Sequence, residues 1–148
     1  MTMKEDYFEH LDDQLCNCLK VRRAAQSITK IYDYYLAPSG LKISQYSLMK
    51  NISQSEPVNV SDLANILKLD RTTLVRNLKP LEERGLISDI SPSSARNRQL
   101  VLTETGKVVL STAIELWREA QLFVEQSLGK DNLETLTGLL SDVENLKV

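Results

Sequence analysis

A run of cationic, amide and hydroxyl side chains, Arg71, Thr72, Thr73, Arg76, Asn77 and Lys79, carries the clearest chemistry in the chain. None of them pairs a nucleophile with a base. All are donors suited to phosphate oxygens and base-pair edges. They lie within DRTTLVRNLKPLEERGLI, residues 70–87. Asp70 is suited to cap a helix, since its carboxylate can accept from the free N–H groups of the first turn. Leu74, Leu78 and Leu81 recur at helical spacing and mark a buried stripe. Gly85 is placed to close the helix, where positive φ is useful. The polar residues therefore begin at a helix N-terminus, where a recognition helix in a major groove carries its base readers. An ordinary amphipathic helix has the same pattern, so the flanks must decide.

Other reactive groups are few. Cys16 and Cys18 are the only cysteines and His10 the only histidine. Two thiols and one imidazole make a poor transition-metal set. No Ser–His–Asp arrangement and no glycine-rich phosphate loop is present. Neither an enzyme nor a cofactor is expected. An internal Cys16–Cys18 disulfide is also disfavoured, because residues two apart on a helix diverge by about 200°. Cys18 as a small buried hydrophobe is the plain alternative to a reactive thiol.

The elements around the polar run read as a winged motif. Ser44 looks like the cap of a helix ending before Pro57, and Val58 to Val60 is short and β-favouring. Ser61 looks like the cap of the next helix, through Leu63, Ala64, Ile66 and Leu67. A tight turn at Lys68 to Asp70 then leads into the polar helix, a helix-turn-helix pattern. Leu86 to Ile90 and Arg98 to Leu102 read as strands joined by a loop. Such a wing can carry an arginine to the minor groove or backbone. Arg96 and Arg98 are the candidates, against a plain solvated hairpin.

Apolar helices bracket this centre. From Tyr7 to about Ala37 one helix is expected, with Leu11, Leu15, Cys18, Arg22, Ala25, Thr29, Tyr32 and Leu36 alternating steps of four and three. Leu19, Ala24, Ile28, Ile31 and Tyr35 form a second row. Thr103 caps a helix from Glu104 to Leu128 carrying Leu110, Ala113, Trp117, Ala120 and Val124. Asp131 with Glu134 suggests a capping-box start for a last helix bearing Leu133, Leu136, Leu140 and Val143. Neither terminal region can bury its seam alone, which points to a homodimer built from both ends.

Size and charge agree. The 148 residues are 42% hydrophobic and 26% charged, the composition of one ordinary globular domain. No signal peptide opens the sequence and no apolar run reaches spanning length, so no membrane contact is expected and the location is read as cytoplasmic. The net charge is −2, yet Lys68 to Arg98 carries +3 and the remainder −5. A basic patch on an acidic body suits a DNA reader, because only the docking face must meet phosphates. A winged module that binds only proteins would not need Arg71, Arg76, Lys79 and Arg96 on one surface.

LDRTTLVRNLKPLEERGLI, then a wing, then LVLTETG resembles the MarR family of bacterial winged-helix transcription regulators, and the likeness extends back to LAPSGLKISQY in the first helix. It implies a homodimer on a pseudo-palindromic double-stranded DNA operator, joined through its terminal helices. By position, DNA contacts fall on Arg71, Thr72, Thr73, Arg76 and Asn77, with the wing arginine at Arg96. Ser94 stands where the family's wing usually has an aspartate, and Asp89 where many members have a basic residue. Cys18 matches the reactive cysteine of the organic-hydroperoxide-sensing branch, and Tyr32 one tyrosine that hydrogen-bonds that thiolate. Arg22 and Ile43 replace the other two tyrosines, and Arg22, one turn from Cys18, would favour a thiolate. The family also takes small aromatic compounds in a crevice for which Tyr32, Tyr46 and Trp117 are candidate lining residues, with plain core packing as the commoner role of each.

The expected fold is mainly α with a small β-wing: a winged helix-turn-helix domain over 41–103, flanked by helical dimerisation regions at 1–37 and 104–148. The expected function is DNA-binding regulation, with repression relieved by a small-molecule or oxidant effector. A winged-helix protein-interaction module without a DNA target is the alternative.

Overall fold

The computed structural model describes residues 16–92 and 97–148. Its elements are α1 (Asn17–Leu36), a 3-10 turn (Ala37–Ser39), α2 (Ile43–Ser55), α3 (Val60–Leu67), α4 (Arg71–Glu83), β1 (Ile87–Asp89), β2 (Leu100–Leu102), α5 (Glu104–Leu128) and α6 (Lys130–Glu144). The fold is mainly α with a small antiparallel wing. Expectations for the first helix before Cys16, with His10, Leu11 and Leu15, lie outside the described residues, as do Ser94 and Arg96.

One core holds the central elements together. Leu36 from α1, Met49 and Ile52 from α2, Leu63 from α3 and Leu100 from β2 close around Leu74, Leu78 and Leu81. All eight are essentially inaccessible, so α4 is seated along its whole apolar stripe. Burying a leucine contributes roughly 1.5–3 kcal/mol, which makes this stripe the main force orienting the helix. The strands pair Ile87 with Leu102 and Asp89 with Leu100. Val58 adds a bridge to Leu100, donating at 3.1 Å and accepting at 2.8 Å. Only Val58 of the β-favouring stretch is extended in this way, since Val60 already opens α3.

The ends of the helices show where local reading succeeded. Thr103 caps α5 by accepting from the Gly106 N–H at 2.9 Å, and α5 runs over Glu104–Leu128 as its periodicity required. Gly85, at φ +68°, closes α4. Its N–H donates to the Glu82 carbonyl and the Leu86 N–H to Leu81, each at 3.0 Å, the paired bonds of a Schellman ending.

Three expected caps are corrected. Helix α2 begins at Ile43 and not after Ser44, because Asp33 of α1 accepts from the Ile43 N–H at 2.8 Å. The Gln45 side chain also accepts from Lys42 N–H, at 2.9 Å. Asn59, not Ser61, caps α3: its side-chain oxygen accepts from Asp62 N–H at 2.8 Å, which places Ser61 inside the helix. At α6 the backbone turns at Gly129, φ +85°, and Asp131 lies within the first turn. There its charge favours the helix dipole without capping it.

The terminal helices leave apolar surface open. On α5 and α6, Leu122, Phe123, Leu128, Leu136, Leu139, Leu140 and Val143 are exposed. The two rows expected on α1 are buried only toward its C-terminal end, where Leu36 enters the core. No described helix is long and apolar enough to cross a membrane.

Candidate nucleic-acid interface

Both oxygens of the Asp70 carboxylate hold the start of α4. Thr73 donates to one through its backbone N–H and to the other through its hydroxyl, each at 2.8 Å. These bonds, the backbone one foremost, hold the Asp70 carboxyl below its ordinary range and therefore ionised. Thr73 is thus engaged in the cap, half-buried, with its hydroxyl proton already committed. Thr72, Arg76 and Lys79 project from the side of α4 opposite its buried leucines, and all three are exposed. Asn77 is half-buried at the flank of that face. Arg71 reaches across to Ser61 on α3, Nη1 to Oγ 3.4 Å, tying together the N-terminal ends of both helices of the motif. Lys79 lies 4.0 Å from Glu83 in an exposed pair, which contributes little and leaves the ammonium available.

Two backbone features flank or lie within this helix. Pro80 lies inside α4 and supplies no N–H to the Arg76 carbonyl, a loss tolerated because Pro80 is on the solvent side. Lys68, in the turn before α4, adopts φ +54°. Its N–H reaches Asn65 and the Leu69 N–H reaches Ala64, so α3 ends in the same motif as α4 with lysine in the glycine position.

The base of the wing is built on charge. Asp89 accepts from Ser91 N–H at 2.9 Å, from the Ser91 hydroxyl at 2.6 Å and from Gln99 N–H at 3.0 Å. The Ser91 hydroxyl bond leads in holding its carboxyl below the ordinary range. Arg98 donates to Asp89 at 3.3 Å and also pairs with Glu82 of α4. Arg98 is therefore a clasp between wing and α4, unlike the tip residue expected of it. Asp89, which stands where many members of the family have a basic residue, is the organiser of the turn.

The cysteine and crevice candidates separate. Cys16 precedes α1 in extended conformation, and Cys18 is the second residue of the helix, so they do not share the helical backbone assumed for them. Both are exposed free thiols. Arg22 is exposed one turn on from Cys18. Tyr32 is fourteen residues beyond Cys18 on α1, roughly 21 Å by helical rise, and the chain does not bring the two together. Its hydroxyl donates instead to the Gln121 side chain of α5, and burial pushes its pKa up. Tyr32 and Trp117 do share a cavity of about 310 Å³ with Ile28, Thr29, Ile43 and Gln121. Tyr46 is core, stacked on Trp117 with ring centroids 5.9 Å apart and planes 17° from parallel. Gln121 has no distinguishing mark in the sequence, being an exposed glutamine on a long helix. Among the described residues no group of three His, Cys, Asp or Glu side chains is placed to hold a metal ion.

Comparison with known proteins supports the same centre. Residues 41–97 match the model described as MarR family. The transcriptional regulator SarZ of Staphylococcus haemolyticus is 29% identical over 144 residues, covering 97% of this chain and 93% of that protein. SarZ of Staphylococcus aureus strain USA300 is 32% identical over 108 residues, 72% of each chain. Among solved structures, the Mycobacterium tuberculosis transcriptional regulator MosR in complex with DNA superposes with a TM-score of 0.71 at 34% identity, covering 88% of this chain and 99% of that one. These relatives are regulators and not enzymes. The chain belongs to the MarR family of winged-helix transcriptional regulators.

Proposed function

We propose that the chain represses transcription as a homodimer on a pseudo-palindromic operator and is released by a small-molecule or oxidant effector. The observation that carries this reading is the outward face of α4. Thr72, Arg76 and Lys79 are exposed on a helix whose opposite side is locked into the core. Arg71 joins them at the helix start, with Asn77 and Thr73 at the flank, and Arg96 is assigned as the wing contact from its sequence position. Arg98 serves by fixing the wing. In this assignment residues 41–103 meet DNA, while 1–37 and 104–148 form the dimer. The exposed apolar residues of α5 and α6 support the second part, since so large an apolar surface marks an interaction site. A protein of this kind works in the cytoplasm, beside the chromosome. The effector site is the open crevice lined by Tyr32 and Trp117 for an aromatic compound, or Cys18, with Cys16 and Arg22 nearby, for an oxidant.

The test is a salt titration of operator binding, using duplex selected from a random pool by the purified protein. Affinity falls steeply with salt, because lysine and arginine displace condensed counterions. Replacing Arg76 by alanine costs about 1–3 kcal/mol where it reads a base edge, and broadens the sequences bound. Salt-independent binding, or an Arg76→Ala protein with unchanged affinity and specificity, overturns the assignment.

A further inference from the structure

Helix α4 is gripped at its C-terminal end, remote from Arg71 and Thr72. Arg84, the residue after α4, donates from Nη1 to the Gly40 carbonyl at 2.9 Å across 44 positions of sequence. Gly40 belongs to the connector between α1 and α2, and that connector is stiff. Ser39 donates its hydroxyl to Leu36 at 2.6 Å and accepts from Leu41 N–H at 3.2 Å. Gly40 N–H closes on Ala37 at 2.9 Å, and Asp33 of α1 holds the first turn of α2. The arginine lies so near that a Cβ at Gly40 would sit 2.9 Å from its Nη2, and Gly40 itself is at φ +75°. Helix α4 packs mainly on α2, α3 and β1. The Arg84 bond thus joins the end of α4 straight to the segment leaving α1.

We propose that Arg84 is a positioning residue for operator spacing: on the seat that the leucine stripe provides, its bond to the Gly40 carbonyl fixes the last few degrees of tilt of α4 relative to α1. The inference rests on the reading of a dimer over two half-sites. Helix α4 has 13 residues, so it is roughly 20 Å long. A tilt of about 5° about its Arg84 end moves the DNA-facing end by nearly 2 Å on that length. Half-sites one helical turn apart require the paired helices to match a repeat of about 34 Å. A single base-pair step is about 3.4 Å, so a loss of a few degrees of rigidity in each subunit blurs neighbouring spacings. Arg84 acts through the helix and not by touching DNA.

The experiment compares wild type, Arg84→Met and Arg84→Lys on the selected operator and on versions with one base pair inserted or deleted between half-sites. Methionine keeps an aliphatic stem without donors, whereas lysine keeps one donor for the carbonyl. Wild type is expected to lose about 30-fold or more on the altered spacings, roughly 2 kcal/mol. Arg84→Met is expected to bind the selected operator about fivefold more weakly, with the spacing penalty compressed below about fivefold and the salt slope unchanged. Arg84→Lys is expected to restore most of the discrimination, and Arg84→Leu, also without a donor, carries the test if the methionine protein does not fold. Undiminished discrimination in Arg84→Met overturns the proposal. So does a uniform loss across spacings with the salt slope shallower by about one, which marks a direct phosphate contact. Wild type indifferent to spacing overturns the half-site reading itself, and the inference with it.

Discussion

Gly106 is set against backbone so closely that even one methyl group is excluded. A Cβ there would lie 2.0 Å from the Leu86 carbonyl oxygen, 3.0 Å from its carbon and 3.3 Å from Thr103 Oγ1. Reaching an ordinary contact of 3.4 Å requires α5 to retreat by about 1.4 Å. That carbonyl accepts from Thr103 N–H at 3.1 Å, and Thr103 Oγ1 bonds Gly85 at 2.6 Å while capping α5. Retreat breaks the cap and at least one further bond, at about 1 kcal/mol each. It also lifts Leu110 and Ala113 from the core, where overpacking costs typically 1–3 kcal/mol. The opposing gain is the helix preference of alanine over glycine, about 1 kcal/mol. The clash wins, and Gly106→Ala is expected to destabilise by about 2–4 kcal/mol. Urea unfolding followed by circular dichroism reads this as a lower midpoint at unchanged slope. A variant as stable as wild type would mean that α5 and the β1 entrance are not in the contact described.

Lys68→Gly relieves the left-handed backbone at the end of α3 and is expected to raise stability by about 0.5–1 kcal/mol, visible as a higher urea midpoint; a lower midpoint refutes the strain. The lowered Asp89 carboxyl contributes stability that is present above the usual aspartate range, about pH 4, and is lost as pH falls through the folded value. The protection of the Ser91 and Gln99 amides, taken against the intrinsic exchange rate at each pH, should therefore fall on acidification in wild type, and Asp89→Asn should remove that acid dependence. If Cys18 is the oxidant sensor, Cys18→Ser keeps DNA affinity but abolishes release by peroxide, while Cys16→Ser alters mainly the oxidised product. Because Tyr32 is out of reach along its own helix, Tyr32→Phe can slow Cys18 oxidation only through the partner subunit. The slowing should then disappear in monomeric protein.

Legibility followed range. Asp70, Thr103 and Gly85 act on atoms within a few residues of themselves, and the sequence pattern around each was enough to place α4 and α5. The same local logic misplaced the start of α2, since Asp33 satisfies Ile43 from another helix. The leucine stripe of α4 showed which face was free, and thereby Thr72, Arg76 and Lys79. It did not show that Arg98 is spent on Glu82 and Asp89 or that Arg84 is spent on Gly40. An arginine looks alike in sequence whether it meets a phosphate, a carboxylate or a carbonyl. Gly106 carried no sign of its constraint, because the obstacle is a carbonyl twenty positions earlier.

The clasp at the wing base has a consequence for how such a reader changes over generations. Asp89, Arg98 and Glu82 join the two ends of the wing through contacts that involve none of residues 93–96. Substitutions among residues 92–97 can then be sampled with little risk to the rest of the fold, while a change at any clasp residue disturbs the whole wing. Divergence among descendants should concentrate at the tip and stop abruptly at the clasp. Taste for new DNA sequences would then be acquired by exchanging tips on an inherited mount.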